Sequence, residues 1–141
     1  MEIGIVTYHR AHNFGAVLQA YGLKKYLEST GHDIHIVDYF PYYHHQMYRI
    51  FPFGYFKKWN IKQQLRFLYD FPFTYTNKVK RQNLFNIFIE TYLLPNKDYL
   101  DKTYDLLIYG SDQIWRFQNN PIFKGYNKVY FASDTILGVN K

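Results

Sequence analysis

The spacing of apolar positions changes period several times along the chain. Residues 2 to 7, EIGIVT, form a β-branched, apolar run that predicts a buried strand. From Phe14 the spacing turns helical, with Phe14, Val17, Leu18 and Tyr21, then Ala20, Leu23 and Leu27. So wide an apolar surface predicts a helix covered on two sides at its start and wetter at Lys24, Lys25 and Glu28. Asn13 suits its N-cap, because a side-chain carbonyl accepts from the free amides of the first turn. Gly31 suits its stop, where a positive φ is cheap without a Cβ. Residues 33 to 38, DIHIVD, alternate and predict a second strand. Strand, helix, strand in this order joins parallel neighbours, so the chain opens an α/β sheet.

The order then loosens. Residues 40 to 60 are crowded with aromatics and broken by Pro41, Pro52 and Gly54. Residues 61 to 69 predict a short helix, interrupted at Pro72. Residues 77 to 92 predict a better one, with Leu84, Ile87, Phe88 and Tyr92 at helical spacing and Pro95 ending it. Residues 104 to 109, YDLLIY, predict the third strand, with a turn at Gly110-Ser111-Asp112. Residues 128 to 132 and 135 to 139 are weaker strand candidates. The expected architecture is a Rossmann-like parallel sheet with flanking helices. It forms one domain over residues 1 to 141, with residues 40 to 100 as an aromatic, basic helical insertion.

Composition narrows the functions. A chain of 141 residues is long enough for a real core, and 48% hydrophobic against 20% charged excludes a disordered tail. The absence of Cys removes a disulfide framework, a thiolate zinc site and a Cys nucleophile together. No signal-peptide pattern and no bilayer-length apolar run is present, which predicts a cytoplasmic protein. A net charge of +6 with 16 Tyr and 13 Phe raises nucleic acid or an anionic membrane as partners. No RNA- or DNA-binding signature accompanies the charge, so no nucleic-acid partner is expected. The insertion carries Arg49, Lys57, Lys58, Lys62, Arg66, Lys78, Lys80 and Arg81 near Trp59, Phe67 and Tyr69. Two readings of it stay open: peripheral contact with the inner face of a membrane, and a solvated basic face over an ordinary apolar one.

Ligands in open parallel sheets bind beyond the carboxyl ends of the strands, where strand order reverses. Residues 8 to 15 and 110 to 115 follow the first and third strands. If those strands are neighbours, His9, Arg10, His12, Asn13, Gly15, Ser111, Asp112 and Gln113 surround one site. The first turn suits an anion, with helix amides, Arg10 and the histidines offering positive charge. The second suits a hydroxyl-bearing ligand. Asp112 is a candidate base, Gln113 donates and accepts, Ser111 caps the turn, and Trp115 offers an apolar face to a sugar. Asn13, Ser111 and Asp112 equally suit plain capping roles. His9 with His12, and the pair His44-His45, lack a third ligand, so no metal is expected. No P-loop, GxGxxG or GxSxG occurs, and no cofactor is expected. The residues alone stop at an anion or polyol site.

Three segments add more: NFGAVLQAYGLKKYLESTGHDIHIVDY, then YDLLIYGSDQIW, then VYF. Together they resemble the polysaccharide pyruvyl transferase family. The shared features are an Asn-aromatic-Gly-Ala-x-Leu-Gln helix start, a second strand ending in Asp-Tyr, and a Gly-Ser-Asp-Gln-x-Trp turn. Asn13, Gly15, Gln19, Ser111, Asp112, Gln113 and Trp115 match these positions. The resemblance implies transfer of pyruvate from phosphoenolpyruvate to two sugar hydroxyls as a cyclic ketal, in capsule or exopolysaccharide biosynthesis. It implies a free sugar or lipid-linked saccharide as acceptor and a two-lobed fold of the GT-B type. On this expectation Asp112 is catalytic, and His9, Arg10, Asn13, Gly15, Ser111, Gln113 and Trp115 contact substrate. Two departures qualify it. Trp115-Arg116-Phe117 replaces the family's Trp-Asn-Pro, and the family's enzymes are more than twice as long. An incomplete N-terminal lobe is therefore expected, with phosphoenolpyruvate held only if a second lobe is supplied. The alternative is a non-catalytic remnant that binds glycan, lipid-linked acceptor or membrane.

Overall fold

The computed structural model describes residues 1–94 and 103–132. Its sheet holds three parallel strands, β1 (Glu2–Val6), β2 (Asp33–Ile36) and β3 (Leu106–Tyr109), in the order β2-β1-β3. Central β1 pairs Ile5 with Ile36 on one side and with Ile108 on the other, so the carboxyl ends of all three strands are level. Period-two alternation sorts the side chains. Ile3, Ile5, Ile34 and Ile36 share one face and pack on Val17 and Ala20 of α1 (Phe14–Ser29), together with Phe85, Ile89 and Leu93. The second cluster gathers Val6, Tyr104, Ile114 and Tyr130. Gly4 is required there. A Cβ on it would meet Leu107 Cδ2 at 2.6 Å and the Tyr104 ring at 3.0 Å, so only glycine lets that ring lie over β1.

Helix α1 begins and ends as its residues dictate. Asn13 Oδ1 accepts from the Gly15 and Ala16 amides, at 2.8 and 3.4 Å. Gly31 follows the C-cap with φ +84°. Lys24 is buried, and its ammonium donates to the Tyr92 and Leu93 carbonyls at 3.0 and 3.4 Å, tying α1 to the helical turn ahead of β3.

Between β2 and β3 run α2 (Tyr42–Met47), α3 (Phe53–Phe56) and α4 (Ile61–Phe88), the last followed by a π turn over Ile89–Leu93. The two helices expected on either side of Pro72 are one helix of 28 residues. Pro72 removes one backbone donor within this helix, and Leu68, whose carbonyl loses that bond, is half exposed as a residue. Thr74 adds a back-bond to the Asp70 carbonyl at 3.1 Å. The helix starts on a reciprocal capping box between Asn60 and Gln63. Its inner face joins Phe51, Phe56 and Trp59 through Phe67 and Phe71, with ring centroids 5.2–6.1 Å apart.

After β3 come a 3-10 turn (Asp112–Trp115), a short antiparallel pair β4 (Gln118–Asn119) and β5 (Lys124–Gly125), and a 3-10 turn over Lys128–Phe131. That last turn stands where a strand was expected. Asn127 Oδ1 accepts from the Val129 amide at 3.2 Å, which starts a helical turn, and Ala132 closes it with φ +54°. The strand expected at residues 135 to 139 and the stop at Pro95 lie outside the described residues. Among the described residues no helix is long and apolar enough to cross a membrane.

Candidate functional site

The segments that follow β1 and β3 lie side by side, joined where the Gly110 amide donates to the Val6 carbonyl at 3.0 Å. Beyond them is a cavity of about 470 Å³ lined by Tyr8, Asn13, Gly15, Gln19, Ser111 and Gln113, with Met47 and Tyr48 of the insertion closing one side. No charged side chain lines it among the described residues. Its polar groups are amides and hydroxyls, which both donate and accept. Four of the sequence-predicted residues meet here: Asn13, Gly15, Ser111 and Gln113.

Each is placed by local chemistry. Asn13 sits at the N-cap of α1, so its Oδ1 is engaged and its amide NH₂ remains as donor. Ser111 has φ +89°, a conformation rarely adopted by a residue with a Cβ, and its hydroxyl accepts from the Gln113 amide at 3.4 Å. This strained corner aims the 3-10 turn at the cavity. The Asp112 side chain lies outside the described residues; its backbone opens that turn. Trp115 does not line the cavity: its indole N–H donates to the Tyr130 carbonyl at 3.3 Å and its ring is half exposed. The floor carries a pair of phenols, Tyr8 and Tyr48, with hydroxyls 3.0 Å apart. Burial, then the contact with Tyr48, pushes the Tyr8 phenol well above its usual range, so it stays protonated.

His9 and Arg10 face elsewhere, which corrects the anion turn expected from them. Val37 pairs on through its amide to the Ile5 carbonyl, so Asp38 arrives beside the end of β1. Arg10 Nε and Nη2 donate to its two carboxylate oxygens, both at 2.5 Å, and His9 Nε2 lies 3.0 Å from Oδ1. The other ring nitrogen of His9, which is 1% exposed, lies 3.0 Å from the Thr7 carbonyl oxygen. A buried imidazole and a bidentate guanidinium are thereby spent on a carboxylate. Partial burial pushes the Asp38 carboxyl up, but the hydrogen bonds and charges of Arg10 and His9 outweigh it and hold it well below the usual carboxylate range. The amides of Gly15 and Ala16 are likewise occupied by Asn13, so the helix start offers an anion less than its dipole suggests.

His12 stacks on Phe85 with ring centroids 5.6 Å apart, outside the first cavity, and burial pushes it below its usual value. His44 is enclosed by Tyr8 and Tyr43 at 4.5 and 4.3 Å, and burial lowers it to about 4. Metal-type donors gather at the opposite end of the sheet, where Glu2, Asp33 and His35 bring ligand atoms within 4.8 Å of one another. His35 is there paired with Asp33 at 3.2 Å, and the group is remote from the cavity. Sequence reasoning did not place Tyr8, Tyr48, Met47 or Asp38 at these crevices. The run through Asp38 was read only as a strand end, and nothing local in residues 42–48 indicates that they fold back over β1.

The sequence model of one family, described as Polysaccharide pyruvyl transferase, matches residues 13–141. No curated protein and no solved structure matches the chain.

Proposed function

The chain belongs to the polysaccharide pyruvyl transferase family, and from that premise we propose that the cavity between the ends of β1 and β3 holds the sugar acceptor of a pyruvyl transfer. The observation that carries this is the lining. Asn13, Gln19, Ser111, Gln113 and the two phenols supply neutral donors and acceptors, with no charged side chain among the described residues. Such a set suits vicinal or near hydroxyls and does not suit phosphoenolpyruvate, whose carboxylate and phosphate need cations. The donor in this reading is phosphoenolpyruvate, held by a second, GT-B-like lobe facing the cavity. Two acceptor oxygens bond to C2 of the enol; one hydroxyl proton goes to C3, making a methyl group, and the other leaves with inorganic phosphate. In this reading Asp112, between Ser111 and Gln113 in sequence, is the base that receives a hydroxyl proton. Capsule or exopolysaccharide, free or lipid-linked, is the acceptor class, and the inner face of the membrane is the place of action.

The test is acceptor binding. Titration of the full chain with galactose- or mannose-containing oligosaccharides, followed by saturation-transfer NMR, should give saturable binding. Gln19→Ala and Gln113→Ala should weaken it about tenfold each, as expected for a lost hydrogen bond with a stranded partner. Binding unchanged in both variants would end the acceptor reading. Asp112→Asn should keep binding while abolishing phosphate release in any assembly that turns over phosphoenolpyruvate.

A second reading rests on α4. Ile61, Leu65, Leu68, Tyr69 and Phe73 are each at least half exposed, and Lys62 and Arg66 lie among them in sequence. This suits peripheral contact with an anionic bilayer. Co-sedimentation with phosphatidylglycerol vesicles at low salt should succeed for the wild type and fail for Leu65→Glu/Phe73→Glu.

A further inference from the structure

Two more cavities adjoin the first on the β2 side of β1. One, about 440 Å³, shares Met47 and Tyr48 with the acceptor cavity and is walled by Tyr55, Trp59 and Phe67. The other, about 420 Å³, shares His12, Tyr48, Arg49 and Gln82 with the second. The first is lined by neutral amides and hydroxyls, whereas the second combines cations with aromatic rings, and Tyr48 lines all three. Arg49, Lys78 and Arg81 line the second cavity, and Arg49 also lines the third. None of the three has a carboxylate within ion-pair distance among the described residues. The one carboxylate in the lining, Asp38, is taken by Arg10 on both oxygens.

Two of the three cations are also held in place. Lys78 lies over the rings of Phe67 and Phe71, at 5.1 and 5.7 Å. Arg81 lies over Phe85 at 5.7 Å and spends one N–H on the His12 carbonyl at 2.7 Å, leaving four N–H donors. Side chains ordered before a ligand arrives lose less entropy on binding it.

We propose that these three cations form an anion subsite for a phosphate or diphosphate ester that carries the acceptor sugar. Three positive charges match a diphosphate, whereas a single sugar carboxylate would leave two of them unmatched. The adjoining cavities supply the orientation: sugar between β1 and β3, ester phosphates on Arg49, Lys78 and Arg81, and the group beyond the phosphates against Trp59 in the same cavity as the cations. That group is either a nucleobase or an apolar chain, since both pack on aromatic rings. The inference rests on the acceptor reading for what fills the sugar end.

Calorimetric titration of the full chain with inorganic pyrophosphate at low salt tests the subsite without any sugar. Binding should weaken about tenfold or more in Arg49→Gln/Arg81→Gln, the ratio that one lost charge-assisted hydrogen bond corresponds to. It should be unchanged in Lys25→Gln, whose side chain pairs with Glu28 on α1. Arg49→Lys, which keeps the charge, should retain most of the affinity and so separates lost charge from lost fold. No binding of pyrophosphate, or equal binding by the double variant, overturns the subsite. A free sugar, the same sugar on a nucleoside diphosphate and the same sugar on a short prenyl diphosphate then identify the source. A gain over the free sugar that disappears in the double variant supports the proposal, and the arm with the larger gain names the carrier. No gain in either arm overturns it. Sugar binding without pyrophosphate binding ends this inference and keeps the acceptor reading; pyrophosphate binding without sugar binding does the reverse.

Discussion

The sheet with α1 and the long helix α4 both carry many apolar residues and hold them in opposite ways. In the first, Ile3, Ile5, Val17, Ala20, Ile34 and Ile36 are all buried, and the crevices open where their strands end. In α4 only Phe85 is buried, while Leu65, Tyr69, Phe73, Leu84 and Ile87 face outward. Both helices are capped by an Asn, so the difference is not in how they start. It lies in tertiary partners. The strands and α1 enclose one another, whereas α4 touches the body through a row of aromatic rings and its last turns. Such an element draws its stability from capping and ring contacts and opens more easily than the sheet.

The comparison breaks most directly at the two ends of the burial scale. Ile5→Ala, at a position with no exposure, should cost about 3 kcal/mol in chemical denaturation. Leu65→Ala should cost less than about 0.5 kcal/mol. Equal costs would mean that α4 is covered in solution, and a protein-concentration dependence of its melting would show by what.

Acid should first strike α2 where His44 packs on Tyr8 beyond the end of β1. Burial lowers His44 from 6.5 to about 4, so between those values the unfolded chain binds a proton that the folded chain refuses. Stability therefore falls as pH drops from about 6.5 to about 4, by up to about 3 kcal/mol from this residue. His44→Phe should flatten most of that slope in denaturation curves, leaving the part due to His12, which burial also lowers.

Asp38 acts in a lower window. Its folded pKa is depressed, so its contribution is present above the ordinary carboxylate value of 3.8 and is lost as pH falls below it. Asp38→Asn should remove that acid slope and cost about 2 kcal/mol at neutral pH, because Arg10 and the buried His9 lose their shared acceptor. Hydrogen exchange should then rise at the ends of β1 and β2 and not in α4. The smallest effect sharpens the other side: Asn60→Ala breaks the capping box and should cost about 1 kcal/mol, with faster exchange confined to the first turns of α4.

Legibility followed the range of the interactions. β1, α1, β2 and β3 were readable because period, cap and stop are properties of neighbours in sequence; Asn13 and Gly31 do what their chemistry predicts wherever the helix lies. The unbroken course of α4 through Pro72 was not readable, because it depends on the exposure of Leu68, whose carbonyl the proline strands. The turn at Lys128–Phe131 was missed because the Asn127 side chain, not the apolar pattern, decides it. The candidate cavity was half readable. Asn13, Gly15, Ser111 and Gln113 follow strand ends and converge for that reason, whereas Tyr48 and Met47 reach it from the insertion.

His9 and Arg10 mark the boundary. The sequence by itself determined that a basic turn follows β1 and that an aspartate follows β2. The strand-helix-strand order predicted β1 and β2 as parallel neighbours; only the tertiary structure decided that Asp38 meets Arg10 and His9 there, so that the carboxylate claims the cations and no charged side chain among the described residues lines the crevice on the other side of β1. Backbone propensity and burial period act over a few residues. The partner of a charge is chosen by which distant strand arrives next to it, and no local pattern carries that information.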